Sequence, residues 1–497
     1  MATGRSQMRT QKAGLGERGS LRSREELPST SSGRDVAPAS RVHERLFRQV
    51  PGKRMVQSVQ KPKRNIESLF PEILLKIVSY LDVSSLMSLS CVNKTFKELA
   101  NSNAVWYEMY TSSLPTSRMW KRKDVEIAGE TLGATSVYEK PDGFWKREYI
   151  RKIVINTRNK LKNQLKDINP YTGLPAKTKQ VLRDLQIKWK IFVTGKENQK
   201  MIEHSNAYLF DSTITIFWNS VEYSCFDNIT MIHLYAIVQM PLGSSTANRC
   251  GWPSLLSTYD LADHKSAVVI GSDKLIKVVL LPPGLLIGVW KDSSAVAFFM
   301  ASLHFHKLIE KCTLGTLSCP YTEPMKPPVY DDIDPENGLH GYKLHFELHD
   351  SRKQFISGCF YQLFCRKNNI QNGFLRVSVI DIKDLSQHIA VSGRVGIKWN
   401  TEALKSVIQD SCFMDLTVLD EAQNPFWCVS TPVSLKSSHQ SIAYDYVGQY
   451  YIVSFQDSCG KVQMELVWLE EQEQFFIINL VLYISTEKVN MHFGTQY

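Results

Sequence analysis

Long apolar runs are the first thing missing from this chain of 497 residues. A helix that crosses a bilayer needs about 20 consecutive apolar residues. The most apolar stretches, near Leu275 to Trp290 and Phe475 to Ile484, are too short or too interrupted, so no membrane partner is expected. Cysteine is sparse: ten residues with no apolar leader at the N-terminus do not read as a secreted disulfide framework. Reduced thiols and an intracellular protein, in the cytoplasm and/or the nucleus, are the expectation. No cysteine pair has the two-residue spacing of a zinc knuckle, since Cys312 and Cys319 are seven apart and Cys359 and Cys365 six. They read as small buried apolar residues. Glycine-rich phosphate loops, a Gly-x-Ser-x-Gly elbow and a catalytic cysteine with an evident signature are also missing, so no catalytic residue and no cofactor is assigned. An enzyme of unfamiliar spacing is the alternative left open.

Charge is present but confined. Residues 1–64 hold 15 Lys and Arg against 5 Asp and Glu, which is the whole net charge of +10, and the remaining residues balance. The basic character therefore belongs to a tail and says nothing about the folded body. That tail is rich in Arg, Ser and Gly and has Phe47 as its lone aromatic residue, which predicts disorder over 1–64. It loosely resembles a transit peptide, and Lys61-Pro62-Lys63-Arg64 a nuclear signal, beside the simpler reading of a solvated tail. The rest, in a chain with 43% apolar residues, is long enough to bury one large core or two.

From Ile66 the texture changes. Ile73, Leu74, Ile77, Val78 and Leu81 recur at three- and four-residue spacing, predicting one apolar face on a helix of about three turns. Pro71 falls in its first turn, where its missing amide hydrogen costs nothing, and Asp82 with Ser84 offers a break and a new N-cap. A second short helix is expected through Leu86, Leu89 and Val92, and a third through Phe96 and Leu99. So small a bundle buries little area, which leaves an apolar face in want of a partner.

The run Ser68-Leu69-Phe70-Pro71-Glu72-Ile73-Leu74-Leu75-Lys76-Ile77-Val78-Ser79-Tyr80-Leu81-Asp82, with Leu86, Val92-Asn93-Lys94-Thr95-Phe96, Leu99-Ala100 and Val105-Trp106 following in order, resembles the F-box. One departure from the family pattern stands out: Phe70 occupies the usual proline position and Pro71 comes one residue later. The resemblance implies a three-helix module over 65–112 that docks on a Skp-family adaptor, which links it to a cullin scaffold. It implies Leu69, Phe70, Pro71, Glu72, Ile73, Ile77, Leu81, Leu89, Val92 and Trp106 as the adaptor-binding residues. No side chain of a built-in RING is in view, so ligase chemistry would come from partners. The bland reading is that these residues are the core of an ordinary helical domain.

Beyond the module, a helical linker region is expected over 113–190. It has two helices between Asp142 and Leu185, broken at Asn169-Pro170-Tyr171-Thr172-Gly173-Leu174-Pro175. From 191 to 497 the pattern predicts a mainly antiparallel β body of one or two domains, sandwich-like, so that the fold class is α+β. Strands are expected at Thr213 to Trp218, Leu275 to Leu281, Leu285 to Trp290, Tyr342 to Leu348, Phe374 to Ile380, Val391 to Trp399, Met414 to Leu419, Tyr450 to Phe455 and Val462 to Leu469. Ala295 to Lys311 is the exception, its length and apolar spacing favouring a helix. On such a helix His304 and His306 would point about 200 degrees apart and share no ion. His340, His345 and His349 form a looser group, and no metal is assigned. Trp290, Trp399, Trp427 and Trp468 are expected mostly in the core.

The expected function is that of a substrate-recognition subunit of an SCF-type ubiquitin ligase, holding an unknown protein substrate. The alternatives are a scaffolding protein that uses the adaptor without the cullin, and a nucleic-acid protein acting through its tail. Nucleic acid is disfavoured because the tail's basic residues are not interleaved with aromatics.

Overall fold

The computed structural model describes residues 66–112, 140–196, 199–203, 206–219, 225–239, 251–261, 267–324, 327, 334–438 and 445–497. The basic tail over 1–64 lies outside the described residues, and so does the linker's first part.

The expected short helices form at Pro71–Val78 (α1), Val83–Leu89 (α2) and Lys94–Ala100 (α3). Local chemistry starts each one. Pro71 sits in the first turn of α1, the Asp82 carboxylate accepts from the Ser85 amide at 3.0 Å, and Asn93 Oδ1 accepts from the Phe96 amide at 2.8 Å. Two differences appear. Val92 falls in the turn after α2, and a fourth helix, Asn103–Ser112 (α4), carries Trp106. Helix α5, Phe144–Gln164, then packs Trp145 into the core of this bundle and Leu161 and Leu165 against the β body. After the Asn169 to Pro175 turn comes the short helix Thr178–Asp184 (α6).

The β body has two lobes, each a pair of facing antiparallel sheets. In the first, the strands Lys188–Gly195, Ile229–Gln239 and Gly251–Asp260 face a six-stranded sheet whose centre is Thr213–Asn219, Val296–His304 and Leu285–Trp290. Ile191, Ile232 and Leu234 meet Ile216, Trp218 and Phe299 between them. In the second, a four-stranded sheet centred on Tyr342–His349 and Ser411–Leu419 faces a larger one centred on Gln474–Ser485 and Gly460–Leu469. Phe346 and Leu416 pack there on Met464 and Leu480. The alternation of Leu344, Phe346 and Leu348 against His345 and Glu347 is that of a strand between two packed faces.

Two expectations, the helix Ala295 to Lys311 and the strand Val391 to Trp399, need correction. Val296–His304 is a strand, and the helix that follows, Leu308–Leu314 (α7), is shorter than expected. The reason is burial on both faces: Phe299 and Ala301 line the first lobe's core while Phe298 and Met300 face Phe413 of the second lobe and Trp399 of a separate two-stranded sheet, Gly396–Asn400 with Lys405–Gln409. A continuous apolar run is what a doubly buried strand requires, and it carries no alternation. The stretch Val391 to Trp399 is likewise two strands, Ile389–Val391 and Gly396–Asn400, in different sheets. Gly393, at φ +78°, makes the turn between them.

The lobes meet along a seam that is apolar at one end and polar at the other. Phe298 and Trp399 form the apolar end, with ring centroids 5.6 Å apart. At the polar end Thr213 donates to Asp415 at 2.6 Å, and His304 Nε2 lies 2.9 Å from Thr417 Oγ1. Of the four tryptophans expected in the core, Trp399 and Trp427 are fully buried and Trp290 and Trp468 half-buried.

Candidate adaptor-docking face

The F-box helices divide their apolar side chains into two sets. Leu74 and Val78 of α1, Val83 and Leu86 of α2, Ala100 of α3 and Val105 and Trp106 of α4 form a closed core. Trp106 is 0% exposed, and its indole donates to the Ala100 carbonyl at 2.6 Å, tying α4 to the end of α3. Lys146 of α5 closes the bundle, reaching Asn101 Oδ1 at 2.8 Å with its ammonium 5.6 Å from the Trp106 ring. Burial lowers the Lys146 pKa, as it does for any ammonium withdrawn from water.

The second set faces outward. Leu69, Phe70, Ile73 and Ile77 are all exposed, Phe70 at 74%, and Val92 in the α2 to α3 turn is 65% exposed. The single apolar face read from the spacing is thus two adjacent stripes on α1. Leu74 and Val78 turn inward; Leu69, Ile73 and Ile77, four residues apart, turn outward. Pro71 and Glu72 are exposed beside Phe70, while Leu81 and Leu89 are half-buried at the edge of the core. Of the ten residues implied by the resemblance, nine therefore reach the surface, and Trp106 supports that surface from beneath.

Energy explains why such a face is unusual on a free surface. Fully covering an apolar side chain of this size is worth about 1.5–3 kcal/mol. Partly exposed as they are, the four side chains represent roughly 3–6 kcal/mol of unrealised burial, before the costs of association. Among the described residues no element covers them.

The histidines flagged in the sequence have other partners. His304 closes its strand and accepts at Nδ1 from the His306 amide at 3.1 Å, while His306 Nε2 lies 3.2 Å from Glu323. The two rings therefore face different groups, although on a strand end and not on the helix expected. Burial pushes the His304 pKa down to about 3. His345 and His349 lie on one strand, both buried in the polar seam. His340 bridges two carboxylates, with Nε2 2.6 Å from Asp334 and Nδ1 3.7 Å from Glu421. The carboxylates thus approach opposite nitrogens of one ring, an arrangement of hydrogen-bond and ion-pair partners in which a single ion would have only one of those nitrogens as a ligand.

Residues 66–112 match the F-box-like family model, which ends at the last residue of α4. Over 432 residues the chain is 40% identical to F-box only protein 15 of Macaca fascicularis, covering 86% of this chain and 99% of that protein. The human F-box only protein 15 is also 40% identical over 438 residues, covering 87% of this chain and 86% of the relative. The mouse protein is 35% identical, covering 86% and 99%. The match therefore takes in the two-lobed β body as well as the helical module, and the chain belongs to the F-box protein family, alongside F-box only protein 15.

Proposed function

We propose that the chain is the substrate-recognition subunit of an SCF-type E3 ubiquitin ligase, recruiting an intracellular protein for ubiquitination and proteasomal degradation. The observation that carries this reading is the outward stripe of Leu69, Phe70, Ile73 and Ile77 on a module that matches the F-box-like family. Those four residues, with Pro71, Glu72 and Val92 around them and Leu81 and Leu89 at the rim, dock on a Skp-family adaptor, and the adaptor links the chain to the cullin. No residue of the chain does chemistry. Helix α5 is anchored in the F-box core at one end and in the β body at the other, so cargo on the body is held at a set distance from the docked adaptor. Ubiquitin transfer is then promoted by effective concentration near the charged conjugating enzyme, in the cytoplasm or the nucleus.

The test is recovery of partners on the full-length chain. Adaptor and cullin should co-purify with it and disappear together when Leu69 and Ile73 are replaced by Glu. Recovery of adaptor with no cullin would favour a scaffolding role, and recovery of neither by the unaltered chain would sink both readings.

A further inference from the structure

Between α5 and the first β lobe lies a cavity of about 620 Å3, within the size range of ligand sites. One wall is the face of α5 carrying Val154, Arg158, Leu161, Lys162 and Leu165, at the three- and four-residue spacing of a single helical stripe. The opposite wall includes Trp252 and Leu314, which are 39% and 41% exposed, and the Asn169 to Pro175 turn closes one side with Leu174. The Trp252 indole is held in place by donating to the Gly315 carbonyl at 3.0 Å. The lining is mostly apolar, and its charge is of one net sign. Lys307 lies within 3.7 Å of Glu310 and 3.9 Å of Glu323, so Glu310, the acidic residue of the lining, is already occupied. Arg158 and Lys162 have no ion-pair partner among the described residues, on a helix that carries seven Lys and Arg against Glu148 alone.

We propose that this cavity binds an acidic peptide segment with bulky apolar side chains, displayed by the protein that the chain recruits. The proposal rests on the substrate-receptor reading and names the chemistry of its cargo. Apolar side chains of the segment enter between Leu161, Trp252 and Leu314. Its carboxylates, or phosphates standing in the same places, meet Arg158 and Lys162 at the mouth. The site adjoins the very helix that joins the F-box to the body, so a segment bound there would hang at a fixed height above the adaptor.

The test uses the full-length chain bound to its Skp-type adaptor and two pools of fluorescein-labelled nine-residue peptides. One pool has Leu, Phe or Trp flanked by Asp and Glu; the other has Lys and Arg in the acidic places. The acidic pool should bind saturably and weaken as salt rises. The double variant Arg158→Glu, Lys162→Glu should bind it at least about tenfold more weakly, since like charges then face each other, and Leu314→Asp should weaken it as well. All three positions are exposed, and an unchanged melting temperature of the full-length chain shows that each variant is folded. Equal binding of both pools, indifference of the double variant, or uptake of oleate with no acidic peptide bound would overturn the proposal. Adaptor binding without peptide binding removes this site alone. Peptide binding without adaptor removes the receptor reading and leaves the site standing.

Discussion

His349 Nε2 lies 2.9 Å from Asp415 Oδ2, with neither side chain exposed to solvent. Asp415 also accepts from Thr213 of the first lobe and from Ser430 of its own sheet, both at 2.6 Å. His349 lies between the rings of Phe210, at 3.7 Å, and Phe413, at 5.2 Å. Burial opposes protonation of His349, but the Asp415 charge and hydrogen bond outweigh it and raise the pKa. Burial likewise opposes ionisation of Asp415, and His349 with its two hydroxyl donors brings the net shift downward. The buried ion pair thus lies within one sheet of the second lobe, and its carboxylate reaches the first lobe through Thr213.

Removing one member of such a pair strands the other. Asp415→Ala should lower unfolding free energy by about 3–5 kcal/mol, and Asp415→Asn by less, because its amide oxygen still accepts from one of the two hydroxyls. Chemical denaturation of the two variants beside the unaltered chain measures both. A loss below 1 kcal/mol in Asp415→Ala would mean that water enters the seam.

Glu347, opposite Asp415 in the strand register, gives the seam a pH dependence. Burial and then the Asp415 charge push its pKa up to about 7 from the ordinary 4.5. A carboxyl whose folded pKa is raised holds a proton that the unfolded chain has lost, so its contribution to stability falls as pH climbs from 4.5 to 7. His349 adds to the loss above its unfolded value near 6.5, as pH rises through its raised folded pKa. His304, kept neutral down to about 3, acts in the opposite sense and costs stability as pH falls below 6.5. Comparing Glu347→Gln with the unaltered chain isolates one group. Its melting temperature should match at pH 5 and lie higher at pH 8; equal values at both would show that Glu347 ionises without penalty.

Within the F-box, the outward and inward stripes of α1 should separate cleanly. Truncating an interface anchor often costs about 2 kcal/mol or more. Leu69→Ala and Ile73→Ala should therefore each weaken adaptor binding by about thirtyfold in a titration while leaving the far-ultraviolet dichroism unchanged. Trp106→Ala opens the core and should cost about 3–5 kcal/mol of stability. If it lost adaptor binding with no loss of helix, Trp106 would have to meet the adaptor directly.

Gly173 tests the turn that closes the cavity. Its φ is +64°, and a Cβ there would lie 2.3 Å from a Leu419 methyl group. Gly173→Ala should destabilise by more than about 1 kcal/mol, from backbone strain and from the displaced Leu419. Thermal melting reads this directly, and a neutral result would show that the turn rearranges freely.

Local signals in the sequence were sufficient for several elements. Pro71, Asp82 and Asn93 start helices by chemistry confined to their own turns, so they are legible without knowledge of what the helices pack on. The strands Leu285–Trp290 and Phe374–Ile380 have the bounds read from their composition. Gly251–Asp260 and Pro425–Ser434 are interrupted by Pro253, Pro425 and Pro432 and so carry a weak strand pattern, yet both lie on sheet edges, where proline is tolerated.

What the sequence determined by itself was the F-box, its caps and its surplus of apolar side chains, because helix period, capping and composition act over a few residues. Only the tertiary structure decided which of those side chains turn inward, that Val296–His304 is a strand buried on both faces, and that Arg158 and Lys162 share a cavity with Trp252. These outcomes depend on neighbours far apart in the chain, such as Asp415 against Thr213 and Phe298 against Trp399. Periodicity records how many faces of an element are apolar, whereas the partner that covers each face is set by packing across the whole fold.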